Sequence, residues 1–171
     1  MSKLVALSLS IGVLGGIATF VFLQFMPDYL IWAAFVGWAC FFHTGGDNEA
    51  LKKTITCNLF GALCAWVAAV LLVTVMPAGA LWAGVTVGLT VLVLCLSAHV
   101  SALATIPASV LGYASVFAFL LGDPAPHAHL TKEALMTAGP ANAFIAVGAS
   151  MVVGAMLGLA SGKLGAALGK G

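Results

Sequence analysis

Arginine is missing from this 171-residue chain, and charge of either sign is scarce. Six lysines and five carboxylates make up 6% of the residues, for a formal net charge of +1. A water-soluble domain carries about 25% charged residues, because its surface must stay hydrated. This chain cannot cover itself that way. Without arginine it also lacks the planar fork that clamps carboxylate or phosphate at two points. A field so near neutral excludes nucleic acid as a partner.

Other absences narrow the chemistry. No Asp or Glu falls in the middle of an apolar segment, so no intramembrane carboxylate relay is visible. No CxxC pair occurs among Cys40, Cys57, Cys64 and Cys95, which read as small buried hydrophobes rather than a disulfide framework. No segment alternates with period two, so a transmembrane β-barrel is unsupported. Ser97, Ser109, Ser115 and Ser150 lack a local nucleophile motif, and no nucleophile–base–orienter set suggests itself. An enzyme is not expected, and neither is a cofactor.

What is present is hydrocarbon: 63% of the residues are hydrophobic. Six apolar segments emerge, at about 4–25, 28–44, 55–76, 80–98, 103–121 and 140–162. Breaks of turn residues or charges separate them: Met26-Pro27-Asp28, HTGGDNEALKK, Met76-Pro77-Ala78-Gly79, Ser97-Ala98-His99, and GDPAPHAHLTKEALMTAG. Lengths near 20 residues suit a bilayer core of about 30 Å, and helices satisfy every backbone group inside lipid. The first run, Leu4 to Phe25, is long for a signal core and has no clean cleavage site, so it reads as a retained first span. The expectation is an all-α polytopic membrane protein with six transmembrane helices, forming one membrane domain over 1–171.

Lysine placement orients it. With the N-terminus cytoplasmic, Lys3, Lys52, Lys53, Lys163 and Lys170 lie inside and only Lys132 outside. N- and C-termini are then both cytoplasmic. Tyr29, Trp32 and Trp82 fall near the outer interface, while Trp38, Trp66 and Tyr113 fall deeper.

The chain also echoes itself. EALKKTITCNLF at 49–60 parallels EALMTAGPANAF at 133–144, pairing Asn58 with Asn142. Phe35-Val36-Gly37-Trp38-Ala39 resembles Val110-Leu111-Gly112-Tyr113-Ala114, and Gly12 and Gly16 parallel Gly84 and Gly88. These blocks predict two repeat units, about 1–76 and 80–163. Three spans per unit would put the second upside down in the membrane, the 3+3 inverted plan of many channels and transporters.

Asn58 and Asn142 are expected near the starts of the third and sixth segments. They are either ordinary helix-start residues or two polar mouths of one path, with helix N-termini adding positive potential. Trp38, Tyr113 and His43 complete the pathway candidates. His43 and His99 end the second and fourth segments, each with a cysteine nearby. Boundary histidines are the simpler account, against a soft metal site with no local ligand spacing to support it. His127 and His129 read as solvated loop residues or external pH sensors. Gly12, Gly16, Gly84, Gly88, Gly154 and Gly158, spaced four apart along their helices, are expected to let helices approach closely, within the chain or between copies in a homo-oligomer. Thr44-Gly45-Gly46 serves as a turn or a backbone nest.

Taken together, GWACFFHTGGDNEALKKTITCNLFGALCAW and IPASVLGYASVFAFLLGD resemble the YcdZ-type bacterial inner-membrane proteins. That family is a domain of unknown function, so the resemblance implies a small polytopic inner-membrane protein and no substrate or site residue. The leading expectation is a passive channel or facilitator for a small neutral or weakly acidic solute. The alternative is a non-transport membrane protein acting as an assembly or accessory partner through its glycine-rich helix faces.

Overall fold

A computed structural model describes residues 1–122 and 129–169, so His127 and Lys170 lie outside the described residues. The described chain is all-helical. In order come α1 (Lys3–Phe25), α2 (Ile31–His43), α3 (Asn48–Thr74), α4 (Ala80–Leu96), α5 (Ile106–Leu121), α6 (Lys132–Met136) and α7 (Ala143–Leu168). Two short 3₁₀ turns, Ser97–His99 and Ser101–Leu103, lie between α4 and α5.

The helix ends follow from local chemistry. Ser2 accepts from the Val5 amide and opens α1, and Thr131 accepts from Ala134 and opens α6. Pro107 sits in the first turn of α5, where its missing N–H costs nothing. At the end of α2 the chain turns through Gly45 and Gly46, with φ of 129° and 74°, a region that favours glycine. Their amides close onto the carbonyls of Phe42 and Phe41 at 3.2 and 3.0 Å. Those donors are therefore spent on the turn, and Gly45-Gly46 does not form an open anion nest. The next residue, Asp47, accepts from Ala50 N at 2.7 Å and starts α3. The stretch EALKK, expected as a loop, is therefore the first turns of a 27-residue helix.

Four helical stretches are long and apolar enough to cross a membrane: Lys3–Phe25, Asn48–Thr74, Ala80–His99 and Ala143–Leu168. The second and fifth apolar segments are shorter as helices. With 13 residues α2 rises about 20 Å, and with 16 residues α5 rises about 24 Å, both short of the roughly 30 Å of a bilayer core. Residues 28–30 precede α2, and residues 103–105, beginning with the end of the second 3₁₀ turn, precede α5; they take up most of the rest of those two segments.

The chain divides into two compact units. One combines Met1–Ile55 with Ser150–Gly171, and the other is Thr56–Ala149. In the first, α2 crosses the C-terminal part of α7 with no side chain in between. A Cβ on Gly37 would overlap the Met151 carbonyl oxygen, and a Cβ on Gly154 would overlap that of Ala34. Phe41 packs onto Gly158, within 2.7 Å of where a Cβ would stand. Leu7 of α1 lies against Gly165, and Phe35 covers Gly15. In the second unit α3 and α5 make the same kind of crossing. A Cβ on Gly61 would meet the Ser109 carbonyl oxygen, and one on Gly112 that of Asn58. Bare Cα–H groups resting on carbonyl oxygens add about 0.5–1 kcal/mol per contact.

The burial pattern is inverted relative to a water-soluble protein. The interior is alanine-rich: Ala6, Ala33, Ala34, Ala62, Ala65, Ala68 and Ala69 are almost wholly buried. Large apolar side chains face outward instead, such as Leu4, Phe20 and Leu23 on α1 and Leu81, Leu89 and Val93 on α4. Small residues inside bring helix backbones together, and apolar residues outside are compatible with a lipid surround.

Candidate functional site

Several polar groups of the first unit find partners within it. Trp38 on α2 donates its indole N–H to Ser161 Oγ at 3.0 Å, and that hydroxyl donates to Gly158 O at 2.8 Å. Ser10 on α1 donates to Ser161 O at 2.8 Å. Leu30 N, just before α2, donates to Ser150 Oγ at 3.0 Å. Trp38 also stacks on Phe35, ring centroids 5.8 Å apart. Its placement is that of a fully engaged core anchor. His43 is exposed at the C-terminal end of α2, the end where a helix favours positive charge.

The second unit holds the other candidates. Asn142, just before α7, is saturated. Its Nδ2 donates to Leu135 O at 2.7 Å and Thr137 O at 3.1 Å, and its Oδ1 accepts from Phe144 N at 2.9 Å. Leu135 O also accepts from Trp66 Nε1 at 2.9 Å, so one carbonyl of α6 ties two segments to it. Tyr113 on α5 shares a 2.9 Å hydrogen bond with Thr90 on α4. Thr90 lines an apolar groove of about 310 Å³ between α3 and α4, together with Phe60, Cys64 and Leu89.

Asn58 differs from all of these. It is the eleventh residue of α3 rather than a helix-start residue. Its side chain is 1% exposed, and neither Nδ2 nor Oδ1 has a hydrogen-bond partner within the described residues. It flanks the α3–α5 crossing through its own carbonyl on Gly112. On the other helix of that crossing Ser109, also 1% exposed, has an equally unpartnered Oγ. In the same unit Thr86 Oγ1 on α4 is buried and unpartnered, and Thr54 Oγ1 on α3, one turn before Asn58, is a further case. Next to Asn58, Cys57 Sγ lies 3.6 Å from Ala102 O in the second 3₁₀ turn.

Burying an amide or hydroxyl without a partner costs about 2–7 kcal/mol per group against an apolar reference. Native interiors keep few such groups, so unpartnered side chains on both helices of one crossing mark it as the candidate site. Asn58 offers two donors and an acceptor side by side, and Ser109 adds a hydroxyl that can do either. Sequence reasoning picked out Asn58 but missed Ser109, Thr86 and Thr54. Hydroxyl residues in an apolar helix normally bond back to the preceding turn, so nothing in the sequence marks these as exceptions. No disulfide joins the cysteines, and no group of three His, Cys, Asp or Glu is placed to share a metal among the described residues.

The glycine stripes divide. Gly154 and Gly158 pack inside the chain, whereas Gly12, Gly16, Gly84 and Gly88 meet no atom within 4 Å of an added Cβ. Of the four glycines of closest approach, Gly154 belongs to a stripe, Gly37 and Gly112 lie in the echo of 35–39 and 110–114, and Gly61 stands alone in the sequence.

Fold and site together define an all-helical protein whose apolar helices are compatible with a membrane. A family model matches residues 8–166, and the chain belongs to that family, DUF1097, described as a protein of unknown function. No curated protein and no solved structure matches the chain.

Proposed function

We propose that this protein is a passive channel or facilitator for a small neutral or weakly acidic solute, with Asn58 in its path. One observation carries the reading. A fully buried carboxamide stands unpartnered at a helix crossing otherwise built from glycine and backbone. The lack of mid-span carboxylates favours passive movement over ion coupling. The same proposal places the chain in a bacterial inner membrane with six spans, both termini cytoplasmic, a 3+3 inverted repeat and a homo-oligomeric assembly. Lysine distribution supports the orientation. So does a pocket of about 590 Å³ in the first unit, lined by Lys3, Gly45, Gly46 and Gly165, which gathers the N-terminus, the α2–α3 turn and the end of α7.

Stopped-flow permeability of purified proteoliposomes to urea, glycerol, acetate, formate and ammonia tests the reading. We expect at least one solute to cross faster than through empty liposomes, and Asn58→Leu to slow it. No rate above empty liposomes for any solute ends the channel reading.

A second reading, a non-transport accessory protein, is favoured by the open faces of α1 and α4. Gly12, Gly16, Gly84 and Gly88 have no partner atoms nearby and stand among exposed apolar side chains, as a helix-docking surface would. Recovery of a foreign membrane protein in fixed stoichiometry, with no solute flux, would select it.

A further inference from the structure

The two glycine crossings are copies of one another, and the copy supplies a control for the site. On α2 and α5 the register is an offset of 75, from Gly37 to Gly112. Over Ile31–Phe42 and Ile106–Phe117 five of twelve residues are identical. The buried positions coincide: Ala33, Ala34, Gly37, Trp38, Cys40 and Phe41 are buried, and so are Ala108, Ser109, Gly112, Tyr113, Ser115 and Val116. Trp32, Phe35 and Ala39 are exposed, and so are Pro107, Val110 and Ala114.

On α3 and α7 the register is an offset of 93, from Gly61 to Gly154. Cys57, Asn58, Gly61, Ala62, Ala65 and Ala68 are buried, as are Ser150, Met151, Gly154, Ala155, Gly158 and Ser161. Leu63 and Val67 are exposed, as are Met156 and Ala160. Each glycine meets a carbonyl whose residue stands three positions before the partner glycine: Ala34 and Met151 in one crossing, Ser109 and Asn58 in the other. Burial phase therefore pairs Asn58 with Met151 and Ser109 with Ala34. Asn58 does not pair with Asn142, as the shared EAL suggests, because a buried–exposed phase over many positions outweighs a few identical residues.

The α2–α7 crossing thus performs the same packing with a thioether and a methyl. Met151 and Ala34 are each 1% exposed, as are Asn58 and Ser109. Polarity at 58 and 109 is not required by the crossing. It adds unpartnered groups where the twin has none, so it answers to something other than the fold. A ligand that satisfies Asn58 must present an acceptor to Nδ2 and a donor to Oδ1 within one short, planar edge. Primary carboxamides and ureas have that edge. Carboxylates lack the donor, and polyols lack the fixed planar geometry.

We propose that the α3–α5 crossing is a recognition site for a small neutral solute of the carboxamide or urea class, read by Asn58 and Ser109. The α2–α7 crossing is its apolar scaffold twin. This inference rests on the transport reading by deepening it, since it names the solute class of the same site.

The test installs the twin's residues. Asn58→Met with Ser109→Ala converts the polar crossing to the apolar one. Its thermal midpoint in detergent should equal or exceed that of the wild type, and acetamide flux into proteoliposomes should fall at least tenfold. A midpoint several degrees lower would make the polar pair structural and overturn the proposal, as would unchanged acetamide flux. Independently of any variant's folding, the Asn58 side-chain amide resonance of the wild-type protein should shift on titration with acetamide and stay in place with acetate or glycerol. No shift with acetamide, or an equal shift with glycerol, overturns the proposal even if solutes cross the membrane. A selective shift without flux above empty liposomes upholds recognition and removes the channel reading.

Discussion

The carbonyl oxygen of Asn58 occupies the place a Cβ would take on Gly112. The residue with unsatisfied side-chain groups therefore uses its backbone to hold α3 against α5. On the proposed reading, recognition and packing meet at one residue but on different atoms, and this separates their mutational consequences.

Backbone contact cannot yield as a side chain yields. Gly112→Ala and Gly61→Ala should each destabilise the protein by about 1–3 kcal/mol or more, the usual range for overpacking. Gly84→Ala and Gly88→Ala, with open space at the Cβ, should hold stability level or raise it slightly. Thermal unfolding in detergent compares the four. Equal losses would mean that the crossing does not distinguish them.

Asn142 and Trp66 converge on Leu135 O. Asn142→Ala should cost about 1–2 kcal/mol, since it removes the cap on Phe144 and two bonds to the segment around α6. It should leave solute selectivity unchanged. Trp66→Phe combined with Asn142→Ala should be non-additive, because one carbonyl serves both donors. A double-mutant cycle in detergent reads the coupling, and strict additivity would contradict it.

Ser161 serves the indole of Trp38 and the carbonyl of Gly158 in one relay. Ser161→Ala leaves a buried indole N–H without its acceptor, and about 1–3 kcal/mol of stability should go with it. Ser161→Thr, which keeps the hydroxyl, should recover part of the loss. If both variants melt with the wild type, the relay contributes nothing.

Orientation is open to labelling. In a background without native cysteines, single cysteines at Ser2, Gly46 and Lys163 should react with an impermeant maleimide from one face of the membrane. Those at Asp28 and Lys132 should react from the other. Reaction of Ser2 and Lys163 from opposite faces would break the proposed six-span arrangement.

Apolar run lengths and break residues located the apolar helices, because hydrophobic burial depends on composition more than on particular contacts, whereas α6 lies inside a stretch read as a break. The shortness of α2 and α5 was hidden. Tyr29-Leu30 and Leu103-Ala104 are apolar, so composition alone extends the two segments beyond the helices that start at Ile31 and Ile106. The start of α3 was legible in principle, since Asp47 followed by Glu49 and Lys53 spells a cap and an i,i+4 pair, seen here as a 2.8 Å contact. Asn58 stood out because an amide in a greasy helix is conspicuous. Ser109 did not, because a serine beside alanines is ordinary until its hydroxyl is found without a partner. Gly37 and Gly112 lay within a recognised echo, yet their role depends on which carbonyl faces them, and one-dimensional spacing carries no such information.

Because α3 and α5 are joined through glycine and main-chain oxygen, the join is indifferent to which side chains flank it. Under the proposal, positions 58 and 109 are therefore expected to change identity while the scaffold stays as it is, just as Met151 and Ala34 occupy the matching places elsewhere in the chain. On the proposed reading, a fold built this way separates heredity of shape from heredity of preference: one architecture is kept while two residues set what it admits.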